Sequence, residues 1–134
     1  MKTTNEILND IYAIVNTSFS TSNLTGAIYK KTRPTDSQLE DTIISLISGN
    51  NAKFVTDGAI YIKTFYKNLF INNTYYEDME RGQYIENLYI PLSETLVNTT
   101  GYFFDVQSRE IYPEKVEEFE EYFIILKMNF KLTN

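Results

Sequence analysis

Apolar positions at steps of three and four open the chain. Ile7, Leu8, Ile11, Ile14 and Val15 recur at helical spacing behind Thr3 and Thr4, either of which can cap, and predict an amphipathic helix over 4–15. A polar stretch, 16–25, leads to a short strand at 26–30 that begins on a glycine turn. The following segment, 31–38, contains Arg33-Pro34-Thr35-Asp36 and reads as a loop. The run 41–48 is β-branched and apolar at Ile43, Ile44, Leu46 and Ile47, which predicts a strand covered on both sides. Turn signals at Gly49-Asn50-Asn51 and Asp57-Gly58 frame a further strand, 59–67. There Ile60, Ile62, Thr64 and Tyr66 alternate with Tyr61, Lys63, Phe65 and Lys67, the pattern of a central strand in a meander.

The segment 68–78 is polar and aromatic and reads as a surface excursion, too long for a hairpin turn. A second helix starts near Glu77 or Asp78, whose acids suit the positive end of a helix dipole, and runs to about Val97. Ile85, Leu88, Tyr89, Leu92 and Leu96 form one stripe that continues through Pro91, so the proline predicts a kink rather than a stop. Gly101 opens a strand at 102–106, a turn is expected around 107–113, and the acidic run that follows has no clear period. The last element, 122–132, alternates cleanly through Ile124, Leu126, Met128, Phe130 and Leu132. The order α-β-β-β-α-β-β predicts an α+β fold in one domain, with a mainly antiparallel sheet of about five strands and both helices on one face.

Composition narrows the chemistry. Among 134 residues there is no Cys, no His and no Trp, which removes thiol and imidazole catalysis and zinc sites of the usual nitrogen and sulfur type. The formal charge is -6, from 18 acids against 12 bases, with arginine only at 33, 81 and 109. Nucleic-acid affinity is built largely from Lys and Arg, so this balance argues against a phosphate-gripping protein. The N-terminus mixes Glu6 and Asp10 into its apolar residues and lacks the pattern of a signal peptide, and no stretch has the length of a membrane span. A soluble protein of the cell interior, or of a particle assembled there, is the expectation. A hard-metal site would draw on Asp36, Glu40 and Asp41 with Lys63, but the acid, spacer, lysine pattern is missing, and these acids are expected to be solvated or paired with Lys30, Lys31 and Arg33. The run containing Glu117, Glu118, Glu120 and Glu121 is read as charge that discourages edge-to-edge strand pairing.

A core does not account for Phe70, Tyr75 and Tyr76 in a polar loop, nor for Tyr61 and Phe65 on the second face of a strand. Uncharged tyrosine-rich patches are typical of protein–protein contacts, and a sheet apolar on both faces needs a cover beyond two helices. A neighbouring subunit is the simplest cover.

The order of these elements resembles the tail-terminator and minor tail or collar proteins of tailed bacteriophages. The matching pieces are the N-terminal helix, the strand 26–30 leading into Arg33-Pro34-Thr35-Asp36, the strands 41–48 and 59–67, the helix through Ile85, Leu88, Leu92 and Leu96, and the final strand ending in LKMNFKL. The wording from Tyr29 to Asp41, followed by Gly-Ala-Ile-Tyr-Ile, also looks like small proteins of phages that infect gut bacteria, including the crAss-like group. The resemblance implies a non-enzymatic structural protein without cofactor, forming a sixfold or twelvefold ring in the virion after assembly in the host cytoplasm. Its partners would be further copies of itself and neighbouring ring, portal or tail proteins, with DNA only as passing cargo and no membrane contact. On this reading the lateral interface uses the loop from Lys30 to Glu40, Asp36 included, with Lys30, Lys31 and Arg33 meeting Glu117, Glu118 and Glu120 of the next subunit, and Phe70, Tyr75 and Tyr76 contact the ring above or below. The competing reading is a small soluble α+β domain that binds or regulates through a peptide or small ligand.

Overall fold

The computed structural model describes residues 2–48, 55–116 and 119–133. The chain forms α1 (Thr4–Ser18), β1 (Ile28–Lys30), β2 (Thr42–Ser48), β3 (Asp57–Lys67), β4 (Leu69–Ile71), β5 (Thr74–Tyr76), α2 (Met79–Val97), β6 (Tyr102–Val116) and β7 (Phe119–Leu132). Five strands make one sheet in the order β1-β2-β3-β7-β6, and β4 and β5 make a separate pair. Only β1 and β2 run parallel, so the fold is α+β over a mainly antiparallel sheet.

Local chemistry starts each helix. Thr3 and Glu6 close a capping box over the first turn of α1, each side chain meeting the other's backbone N–H. Asp78 caps α2 by accepting from the Arg81 amide at 3.1 Å. The helix continues through Pro91 to Val97 because Ile85, Tyr89, Leu92 and Leu96, all fully buried, carry it onto the sheet. One missing hydrogen bond weighs less than that stripe.

One face of the sheet is the floor of the core. By register Ile44, Ile62 and Leu126 stand in one cross-strand row, and Thr42, Thr64 and Ile124 in the next. Ile7, Leu8, Ile11 and Val15 of α1 and the stripe of α2 cover these rows. Within this apolar layer the hydroxyls of Thr42, Thr64 and Tyr89 form a chain at 2.8 Å and 2.6 Å, which satisfies three buried polar groups with one another.

Three expectations change. The turn placed at 107–113 does not occur: β6 runs on to Val116, and the register shifts by a bulge between Val106 and Ser108. Pro113 is tolerated because β6 is an edge strand, where one side of the backbone needs no partner. The strand β2 is not covered throughout, since Ile44 is fully buried while Ile47 is 58% exposed. The surface excursion 68–78 holds its own hairpin, β4–β5. The Gly49-Asn50-Asn51 turn lies outside the described residues.

Candidate interaction surface

The hairpin is built from local sequence. Asn72 and Asn73 take φ of 51° and 62°, the left-handed pair required by a two-residue turn whose twist matches the strands. The turn sets Phe70 opposite Tyr75 and Leu69 opposite Tyr76, and the Phe70 and Tyr75 rings meet at 4.7 Å between centroids. Every residue of β4 and β5 is exposed. Leu69, Phe70, Ile71, Tyr75 and Tyr76 are each between 39% and 58% exposed, and Met79 at the base is 73% exposed. Phe70, Tyr75 and Tyr76 therefore lie on one exposed hairpin, Phe70 and Tyr75 on one of its faces and Tyr76 on the other.

The face of the sheet away from the helices has two unlike ends. At one end Phe65 is buried and Phe123 half-buried, their rings 5.8 Å apart. Their cover comes from this chain: the loop 31–41 lays the Arg33 guanidinium 4.0 Å above the Phe65 ring, and Lys63 Nζ lies 4.4 Å from the centre of the Phe123 ring. Arg33 Nε donates to Asp41 at 2.8 Å and Nη1 to Glu121 at 2.6 Å, while Nη2 reaches the Leu39 carbonyl. Ser37 also donates to Asp41. Burial works against the Arg33 charge, but the hydrogen bonds to Glu121 and Asp41 outweigh it and hold the guanidinium more firmly protonated.

At the other end the face is open among the described residues. Register places Asp57, Lys131 and Phe103 in one row and Ala59, Asn129 and Asp105 in the next. With Gly58 and Phe130 these residues, apart from Ala59, line a depression of about 420 Å³. Phe103, 63% exposed, is its apolar element. The sequence reading passed over Phe103; its signal was an aromatic at the outward position of 102–106.

The remaining site residues are dispersed. Lys30 donates to Asn9 and lies 5.1 Å from the Tyr12 ring. Lys31 and Asp36 are exposed at left-handed φ of 76° and 61°. Glu40 accepts from Arg81 Nε and Nη2, both at 2.6 Å, an intrachain pair that ties the loop to the start of α2 and that the sequence did not anticipate. Glu40 in turn holds the Arg81 guanidinium more firmly charged, against the effect of burial. Arg33, assigned to a neighbour's acids, is engaged inside its own chain. Glu117 and Glu118 lie outside the described residues, as does the side chain of Glu120. Among the described residues no cluster of acids has the geometry of a metal site. A second concavity, about 240 Å³, lies between α1 and β1 and is lined by Tyr12, Phe19, Leu24, Ala27, Glu40 and Thr42 among others.

No protein-family model matches the chain, and no curated protein matches it. Among solved structures, the catalytic domain of histidine kinase ThkA aligns with 93% of this chain and 92% of that one at 10% identity, with a TM-score of 0.25. At that score the likeness carries no argument.

Proposed function

We propose that this protein is a structural assembly subunit, and more narrowly a ring subunit in the tail or collar of a tailed bacteriophage, through which DNA passes. The observation that carries the assembly reading is the projecting β4–β5 arm. An isolated two-stranded hairpin is marginal in water, and this one spends its largest side chains on solvent. At ~150–250 Å² per aromatic side chain, its five large residues leave on the order of 500 Å² exposed. That area is divided between the two faces of the hairpin, Phe70 and Tyr75 on one and Leu69, Ile71 and Tyr76 on the other, and exposed apolar patches of a few hundred Å² are often functional.

Two further features support the reading. Among the described residues, the 15-residue strand β6 forms one edge of the sheet and presents an unpaired backbone row along its outer side. The net charge of -6 suits a lumen through which DNA moves without adhering. The narrower phage assignment rests on the order of elements described above. Size exclusion with light scattering tests it, alone and with candidate virion neighbours: an oligomer of defined order supports the reading, and a strict monomer under every condition sinks it.

The concavity between α1 and β1 favours a second reading, a small binding domain. Tyr12, Phe19 and Leu24 supply apolar contact, and Asn16, Ser20, Ser22, Thr42 and the buried Glu40 carboxylate, paired to Arg81, supply polar groups. A thermal-shift screen of small ligands separates the two, since stabilisation abolished by a bulky residue at Ala27 points to the pocket.

A further inference from the structure

The geometry points to a head-to-tail junction in which the β4–β5 arm of one copy seats in the Phe103 depression of the next. This rests on the assembly reading and specifies its contact.

The two features belong to opposite ends of the same strand. The arm leaves β3 after Lys67, whereas the depression is built around Asp57 and Gly58 where β3 begins. The strand has 11 residues, and at about 3.3 Å each they separate its ends by roughly 33 Å. The arm is six strand residues and a two-residue turn, folded back on itself, so it spans only about 13 Å beyond the body. It cannot reach the depression of its own chain. A second copy set end to end with the first brings the two together, and a rotation between successive copies lets the series close.

Their chemistry matches. From Asn68 to Tyr76 the arm carries no charge and ends in aromatic and aliphatic side chains with two tyrosine hydroxyls. The depression offers the exposed Phe103 ring as a hydrophobic contact, with Asp57 and Asp105 as acceptors for the Tyr75 hydroxyl and Asn129 and Lys131 as donors for backbone carbonyls. A neutral arm enters an acidic rim without like-charge repulsion, which an acidic partner surface would meet. Seated by its Phe70–Tyr75 face, the arm supplies roughly half of its exposed ~500 Å², against about 800 Å² per partner in a standard interface, so the surfaces beside the arm complete the junction. Arm and depression are different surfaces, so the contact is heterologous. Such a contact leaves a free arm and a free depression at each end until the series closes into a ring.

Two variants test the pairing. Phe70→Asp blocks the arm and Phe103→Asp blocks the depression; both residues are more than half exposed, so circular dichroism and melting temperature should match wild type. Each variant alone should run as a monomer where the wild type assembles. Mixed in equal amounts they retain one intact arm and one intact depression between them, and should form a heterodimer of twice 15.7 kDa that grows no further. A wild type that never associates contradicts the assembly reading itself. A wild type that assembles while either variant assembles equally well, or variants that stay monomeric on mixing, overturns the arm-to-depression contact and leaves the assembly reading standing.

Discussion

Arg33 holds two carboxylates, of which Asp41 is fully buried and Glu121 is 2% exposed. Removing the guanidinium leaves both anions in a low-dielectric setting without their cation, the costly way to break a buried ion pair. Arg33→Met should therefore destabilise the fold by about 3 kcal/mol in chemical denaturation. Arg33→Lys should recover only part of this, because a single ammonium cannot fork between Asp41 and Glu121 while lying flat on Phe65. At the other end of the scale is Glu6, whose carboxyl is held below its usual 4.5, first by the Thr3 backbone N–H and then by the Thr3 hydroxyl. A depressed folded-state value means that Glu6 stabilises the fold above its unfolded pKa and loses that contribution as pH falls through the folded one. Glu6→Ala should lower the melting temperature at neutral pH, and the gap to wild type should close as pH drops from about 4.5 through the acid range. A gap that is constant with pH would assign the effect to helix propensity alone.

Helix α2 meets the sheet so closely at Gly82 that a Cβ there would lie 2.7 Å from Tyr66 Oη and 3.0 Å from its Cζ. The Tyr66 ring is 1% exposed and stacked on Tyr122 at 6.0 Å, so it has little room to turn. Gly82→Ala gains up to ~1 kcal/mol of helix propensity, but the clash should leave it destabilising by about 1 kcal/mol. In a Tyr66→Phe background the nearest atom is gone, and the same substitution should become neutral or stabilising, which a double-mutant cycle on melting temperature reads directly. The elements themselves were legible where one face is apolar and the other polar. The stripe Ile85, Tyr89, Leu92, Leu96 located α2 through its proline, and the alternation from Ile124 to Leu132 located β7. Where the pattern broke, so did the reading. Gln107 inserts one extra residue into β6 and flips the phase of its alternation, so the polar residues after it resembled a turn. The hairpin β4–β5 was hidden because all its residues face solvent and no burial alternation marks three-residue strands. Its Asn72-Asn73 pair was the available signal.

At the scale of the whole molecule, the need for an outside cover on the second sheet face is smaller than the sequence suggested. The loop carrying Arg33 closes over Phe65, itself packed on Phe123, a long-range contact that no local pattern announces. Among the described residues, what remains open is the far end of that face, around Phe103, and the arm beyond the near end. These two uncovered regions, unlike in chemistry and set apart by the length of β3, give the molecule a direction. Association that uses both must propagate from copy to copy, and it ends only by closing on itself. Native mass spectrometry of the wild-type chain over a wide concentration range tests this most directly. A single closed species at an integer multiple of 15.7 kDa is the predicted result. A 15.7 kDa monomer throughout, or a symmetric dimer that grows no further, would contradict it.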